Sequence, residues 1–355
     1  MNRRFWAGKR VLITGHTGFK GSWLCLWLSQ AGARVGGYGL APDAEQPSLH
    51  QLCDIPAIME SSVLADIRDS SKLSSYISTF KPDVIFHMAA QALVRWSYSA
   101  PTETFETNVM GTVNLLDAAR NVPSIQTIIN VTTDKCYENR ELLWGYREGE
   151  PLGGSDPYSA SKACSELVTT AYRSSFFQSD NAPLIATARA GNVIGGGDWC
   201  RDRIIPDYVR AITNSSPLLV RNPESIRPWQ HVLDALNGYI SLAERLGKGD
   251  RSMAEAWNFG PHPSAQKTVG WLLDTFSRHY GAPCSWVLDS GDHPHETRAL
   301  RLDASKANQL LDWYTRLSVD ETLEWTAAWY REVLADPASA RSATVKQIET
   351  FEQLT

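Results

Sequence analysis

The sequence predicts an α/β fold, a doubly wound parallel sheet that carries a smaller mixed C-terminal domain. Three observations predict it. Short apolar runs alternate with helical patterns through the first half of the chain. A glycine triad separates the first such run from the helix after it. Beyond about residue 190 the character shifts to proline, glycine and tryptophan ("GGGDW", "IRPWQH", "NFGPHP"), with shorter helical pieces. Strand–helix alternation implies parallel strands with helices on both faces. Ligands of such sheets bind outside the carboxyl ends of the strands.

The elements follow in order. "RVLITG" (10–15) reads as a strand, "GSWLCLWLSQAG" (21–32) as a helix stopped by glycine, and "RVGGYGL" (34–40) as a second strand weakened by glycines. "SSVLADIRD" (61–69) is a third strand ending in an acidic turn, "SKLSSYISTF" (71–80) a helix and "PDVIFHMAA" (82–90) a strand. "TNVMGTVNLLDAAR" (107–120) has apolar residues three and four apart, the mark of a helix. "QTIINVTTD" (126–134) is a strand that ends on charge, "DPYSASKACSELVTTAYRSSF" (156–176) a long helix and "PLIATARAGNVIG" (183–195) a further strand. Amphipathic helices are expected at 268–281 and 319–335, and the polar tail from Asp336 reads as frayed. The expected division is a dinucleotide-binding domain over 1–190, to which 225–258 returns, and a second domain from 191–224 and 259–355.

Composition narrows the class. With 355 residues, 43% of them hydrophobic, there is material for one large or two medium domains. A net charge of −5 without a long basic run argues against a nucleic-acid partner. The six cysteines (Cys25, Cys53, Cys136, Cys164, Cys200 and Cys284) form no C-x-x-C, which suits reduced thiols in a cytoplasmic protein. The apolar run after the basic N-terminus is too short for a signal peptide, and no window spans a membrane. His293 and His295 flank a proline without a third partner that would suggest a metal. His87, on an apolar strand, reads as a core histidine.

Gly15, Gly18 and Gly21 in "TGHTGFKG" follow a strand and open a helix. Glycines there let the backbone approach a pyrophosphate at the helix N-terminus, so a Rossmann-type dinucleotide site is expected over Gly15, Thr17, Gly18, Phe19, Lys20 and Gly21. The second strand ends near Tyr38–Leu40 without a carboxylate for a ribose diol or an arginine for a 2′-phosphate, which leaves NAD and NADP both open at that position. Asp66 and Ile67, after the third strand, are candidates for the adenine. Ala89 and Ala90 end the fourth strand on the same edge. In "YSASK", Tyr158 and Lys162 lie four apart, on one helix face. A phenol with a pKa of about 10 needs a nearby ammonium to act as a base. The pairing gains meaning from the glycine loop.

Together with "HMAAQ", "TTDK", "ARAGNVIG" and "IRPWQHVLDAL", these motifs resemble the extended short-chain dehydrogenases/reductases, the group of nucleotide-sugar epimerases and dehydratases, over nearly the whole chain. Within the group the chain most resembles CDP-glucose 4,6-dehydratases. The resemblance implies NAD as cofactor, CDP-glucose as substrate, a role in deoxysugar precursors such as those of lipopolysaccharide O-antigen, and a homodimer or dimer of dimers. It implies Tyr158 as the base for the sugar 4-hydroxyl, Lys162 beside it, Thr133 on the 4-oxygen, and Asp134 as acid for the departing 6-hydroxyl. Lys135 stands where TDP-sugar dehydratases carry a glutamate base. An aspartate acid must be protonated and a lysine base neutral, the reverse of their solution states. A dry pocket or proton exchange between the two is the expected remedy. Gln91, Asn192, Arg227 and Glu296 are the substrate-side candidates. A 4-epimerase, or a dinucleotide sensor without activity, are the rival readings.

Overall fold

The computed structural model describes residues 1–283, 285–291 and 299–354. Its twelve strands, in chain order, are β1 (Arg10–Thr14), β2 (Arg34–Gly39), β3 (Ser61–Leu64), β4 (Val84–His87), β5 (Thr127–Val131), β6 (Leu184–Ala190), β7 (Asn192–Ile194), β8 (Leu218–Val220), β9 (Ile226–His231), β10 (Ala256–Phe259), β11 (Gln266–Thr268) and β12 (Trp286–Leu288). Seven of them form one sheet in the order β10-β6-β5-β4-β1-β2-β3, parallel throughout. The order reverses between β1 and β4, and the crevice at that switch point is where an open α/β sheet receives a ligand. Strands β11, β9 and β7 make a second sheet, and β12 pairs with β8.

The helix Phe19–Gln30 explains the glycine loop's rigidity. Residues from Gly21 to Leu28 are all buried, so the helix is enclosed on every side. Gly15 has φ +73°, and a Cβ there would lie 2.8 Å from the amide nitrogen of Ala89. A Cβ on Gly21 would lie 2.2 Å from the Gly15 carbonyl. Both positions exclude any side chain, which is why the loop can press against the end of β4.

Three expectations need correction. The run 183–195 is two strands, not one. Gly191 breaks it, β6 stays in the large sheet and β7 pairs with β9 in the small one. The helix at 107–120 opens with a π-turn, Glu106–Met110, before the α-helix Gly111–Ala119. The C-terminal tail is a helix, Ala340–Gln353, whose Ala340, Ala343, Ile348 and Phe351 are buried. It is held by Arg316, which donates to the carbonyls of Phe351 and Leu354, and by Trp27, which meets Phe351 edge-on and donates to Glu352.

One buried carboxyl makes the fold sensitive to pH. Asp234 lies in the first turn of the helix Val232–Gly247. Its Oδ1 accepts from the Arg316 amide at 2.6 Å, while Oδ2 has no partner among the described residues. Burial outweighs that hydrogen bond and pushes the group from 3.8 to about 7. Between these values the unfolded chain ionises while the folded one stays protonated, so stability falls as pH rises through this window. Asp234→Asn keeps the acceptor for Arg316 and removes the titration. Melting temperatures across this pH range are expected to fall less in the variant than in the wild type, with the variant the more stable at about pH 8.

Candidate active site

The long helix Pro157–Phe176 starts cleanly. Asp156 caps it by accepting from the Ser159 amide at 2.9 Å, and Pro157 fills the first position, where a missing N–H costs nothing. Tyr158, Lys162 and Glu166 then follow at four-residue steps on one buried face. The same face carries small hydroxyls instead of bulky apolar groups. Ser161 accepts from Asn108 at 2.8 Å, and Asn130 donates to Ser165 and Thr169 at 3.0 and 2.7 Å. These bonds tie the helix to the π-turn and to β5.

Strand β5 ends at Val131, and its carbonyl accepts from Lys162 Nζ at 3.1 Å. Thr132 still pairs with β6, donating its amide to the Ala188 carbonyl. The chain then leaves the sheet, and Thr133 caps a single 3₁₀ turn, Asp134–Cys136. Adjacent residues on a strand point to opposite faces, but the turn brings Asp134 and Lys135 to one side. Asp134 is buried, and its Oδ1 accepts from Thr133 Oγ1 at 3.1 Å. Lys135 Nζ lies 3.9 Å from that oxygen and is part-exposed. Oδ2 of Asp134 has no partner among the described residues and faces Gly191, where a Cβ would stand 3.3 Å away.

Beneath this turn lies a buried ion pair. Glu166 accepts from Arg189 Nε and Nη2 at 2.9 and 2.8 Å, from Thr132 at 2.5 Å and from Thr187 at 2.7 Å. Arg189 also donates to the Tyr137 hydroxyl at 2.7 Å. The residues on either side of Thr133–Cys136 are therefore gripped by the two ends of one pair. Burial lowers Lys162 to about 8, against the opposing pull of Glu166, and pushes Tyr158 up to about 12.

The turn opens on a cavity of about 760 Å³ lined by Lys135, Tyr158, Asn192, Arg203, Arg227 and Lys20, among others. Asn192 brings a buried Oδ1 without a partner among the described residues, and Arg227 donates to its own strand's Ile226 carbonyl. Lys20 extends from the glycine loop into this cavity and reaches the Tyr239 hydroxyl at 3.5 Å. Burial, then the cations Arg203 and Lys162, lower it to about 7, with Asp134 and Asp198 opposing. Arg203 and Asp198 are among the lining residues not singled out in the sequence. Arg203 pairs with Asp198 at 2.7 Å and acts electrostatically on Tyr158. No spacing rule marks them, because they meet the site through a loop.

The cofactor-side candidates gather at the switch point. Thr14 Oγ1 accepts from the amides of Met88 and Ala89 and contacts His87 Nδ1 at 2.8 Å, which locks the loop through Ala89 and Ala90 against β1. With both lone pairs taken, Thr14 must donate to His87, which is a satisfied core histidine. Thr17 donates to the Leu40 carbonyl, joining the glycine loop to the end of β2. Asp66 is paired with Arg68 at 2.7 Å, and Ile67 is buried against Gly111. Gln91 uses its side-chain amide locally, donating to the Leu93 carbonyl and to Thr104 and accepting from the Leu93 amide. Glu296 lies outside the described residues.

The ion pair yields a stability prediction. In Glu166→Gln, Arg189 remains buried with its counter-charge gone, which costs about 3 kcal/mol. Urea unfolding is expected to show that loss as a lower midpoint at unchanged slope.

Comparison with known proteins agrees with this geometry. A family model described as GDP-mannose 4,6 dehydratase matches residues 12–326. The chain is 52% identical over 340 residues, 93% of this chain and 94% of the relative, to a CDP-glucose 4,6-dehydratase of Salmonella typhimurium. Among solved structures, DesIV, a dTDP-glucose 4,6-dehydratase of Streptomyces venezuelae with NAD and TYD bound, superposes with a TM-score of 0.77 at 26% identity, covering 93% of this chain and 99% of that one. A UDP-glucose 4-epimerase of Thermotoga maritima shares the fold, with a TM-score of 0.78 at 20% identity over 92% and 99% of the two chains. A parallel sheet closed by a glycine loop, a Tyr158–Lys162 helix face and a match along most of the sequence lead to one assignment: the chain belongs to the GDP-mannose 4,6 dehydratase family of extended short-chain dehydrogenases/reductases.

Proposed function

We propose that the protein catalyses the 4,6-dehydration of CDP-glucose to CDP-4-keto-6-deoxyglucose, a deoxysugar precursor, with NAD restored in every turnover. The observation that carries the reading is the Asp134–Lys135 pair, turned to one side of a strand end beside Tyr158. Inversion at C4 has no use for a second acid and base. The 52% identity to a CDP-glucose 4,6-dehydratase supports cytosine as the base.

The residues fit a dinucleotide. Gly15 and Gly21 leave no room for side chains, and Gly18 caps the helix Phe19–Gln30 without a competing hydrogen bond, so free amides remain for a pyrophosphate. Gly15, Thr17, Gly18, Phe19 and Gly21 would hold it, with Asp66 and Ile67 at the adenine and Ala89, Ala90, Tyr158 and Lys162 at the nicotinamide end. Bound there, NAD would supply the hydride acceptor for C4 and, once reduced, the hydride donor for C6.

The chain's own residues move the protons. Tyr158 takes the proton of the 4-hydroxyl, with Thr133 on the same oxygen. The 4-ketone acidifies C5; Lys135 removes that proton, its ammonium exchanges with solvent, and it then delivers a solvent-derived proton back to C5. Asp134, through its unpartnered Oδ2, protonates the 6-hydroxyl as it leaves as water. Lys162 is more than half protonated at neutral pH and supports the phenolate form of Tyr158. Arg227 and Arg203 supply guanidinium for the diphosphate, and Asn192 an amide. Lys20, aimed at the sugar side, joins this set instead of the cofactor loop. Met110, Leu167 and Phe176 stay exposed on the helices, which supports a homodimer through that face. The reading sets the enzyme in the cytoplasm; among the described residues no helix is long and apolar enough to cross a membrane.

The test is mass spectrometry of CDP-glucose incubated with enzyme and NAD⁺ in deuterated water. Loss of one water with one deuterium gained at C5 is expected; an unchanged mass or a C4 epimer rejects the reading. In Lys135→Met, C5 exchange is expected to fall by about 10²-fold or more, while hydride transfer, followed as NADH absorbance, persists. Undiminished exchange removes Lys135 from the role of base.

A further inference from the structure

We propose that Asp198 is a positioning residue, a buried carboxylate that holds Arg203 with its guanidinium fork turned to the substrate diphosphate. The inference rests on the reading above, in which Arg203 grips that diphosphate, and goes beyond it.

The starting point is a conflict of sign. Asp198 and Arg203 both line the cavity of about 760 Å³. A carboxylate in the wall of a diphosphate site repels the ligand. Asp198 is only 3% exposed, so solvent does little to screen that repulsion. Its place there calls for a gain that offsets the cost.

The gain is a fixed guanidinium. Asp198 Oδ2 accepts from Arg203 Nη1 at 2.7 Å. The opposite edge of Arg203, Nε and Nη2, has no partner among the described residues. That edge carries two parallel N–H groups, the fork that matches two phosphate oxygens. A free arginine gives up its rotamer freedom when it takes hold of a ligand. One already tied through Nη1 has given up much of it before the ligand arrives.

The support that carries Asp198 is itself held. Its Oδ1 accepts from the Cys200 amide at 3.1 Å, so both carboxylate oxygens are in use. Its backbone carbonyl accepts from the buried Tyr330 hydroxyl, and the Trp199 ring meets that tyrosine edge-on. A Cβ on Gly196 would lie 2.1 Å from the Trp329 ring. Trp329 and Tyr330 belong to the helix Val319–Ala335, so the loop is pressed onto that helix from Gly196 to Trp199. The chain then turns back. Asp202 has φ +60°, a left-handed conformation uncommon outside glycine, and Arg203 follows it immediately before the helix Ile204–Thr213. A helix remote in sequence thus anchors an arginine of the substrate cavity through one carboxylate.

The experiment is a double-mutant cycle read as calorimetric affinity for CDP. It compares wild type, Asp198→Asn, Arg203→Met and the double variant. Asparagine keeps an acceptor for the Cys200 amide and removes the charge. Each single variant is expected to bind CDP about tenfold more weakly. The double variant is expected to bind no more weakly than Arg203→Met, because nothing is then left for Asp198 to place. A carboxylate that only repels the ligand gives the opposite sign: Asp198→Asn binds CDP more tightly, and the proposal is overturned. Losses that add in the double variant overturn it too and leave Asp198 a structural residue of the loop. So does an Arg203→Met variant that binds CDP as the wild type does. Thermal melts identify a folding defect in Asp198→Asn, in which case Asp198→Ser is read by the same criterion. Deuterium incorporation is a separate readout. A failed cycle in an enzyme that dehydrates CDP-glucose rejects the positioning role alone; a wild type that does not bind CDP rejects both readings.

Discussion

The site depends on the buried pair of Glu166 and Arg189. Taking both charges out of water is expensive, and an apolar pair of similar volume is often no less stable. Stability is therefore a weak reason for it. Its position is a better one. Glu166 grips Thr132 and Thr187 on two neighbouring strands, and Arg189 grips Tyr137 beyond the 3₁₀ turn. An apolar replacement would strand these hydroxyls and withdraw the charge that opposes the drying of Lys162. The pair fixes where β5 stops and keeps the lysine one helical turn away charged.

From this follows the contrast between a rigid floor and a polar rim. Behind the pair, Asn108, Asn130, Ser161, Ser165 and Thr169 weave the helix Pro157–Phe176 into the sheet through short hydroxyl and amide bonds. Small side chains let the helix approach closely, so Tyr158 and Lys162 reach the strand ends without bending. The π-turn serves the same end. It carries Asn108, whose side chain holds both backbone groups of Gln91 at the mouth of the crevice. An extra residue per turn is tolerated there because it aims that amide.

How much of this was legible in the sequence depends on the range of the constraint. The glycine loop could be read because its demand is local: Gly15 needs a positive φ and Gly21 has no room for a Cβ. Tyr158 and Lys162 could be read because helical spacing puts them on one face. The charged end of β5 could be read as a candidate edge because Asp134 and Lys135 follow an apolar strand directly in the sequence. What could not be read was set by distant partners. Arg203 and Asp198 enter through an irregular loop, and Gln91 donates to a threonine thirteen residues on. The helix Ala340–Gln353 was missed because alanine and threonine supply much of its buried face, and they carry little hydrophobic signal. Gly191 looked like part of a strand, although it is the point at which the chain changes sheets.

The lysine at position 135 ties these layers together. Around Asp134 stand Lys20, Lys135 and Lys162, with Arg203 beyond them, a concentration of cations suited to a diphosphate ligand. A strand that ends in threonine, aspartate and lysine sets the proposed 4-oxygen contact, acid and base in consecutive positions, and the buried pair beneath grips the residues on either side of them.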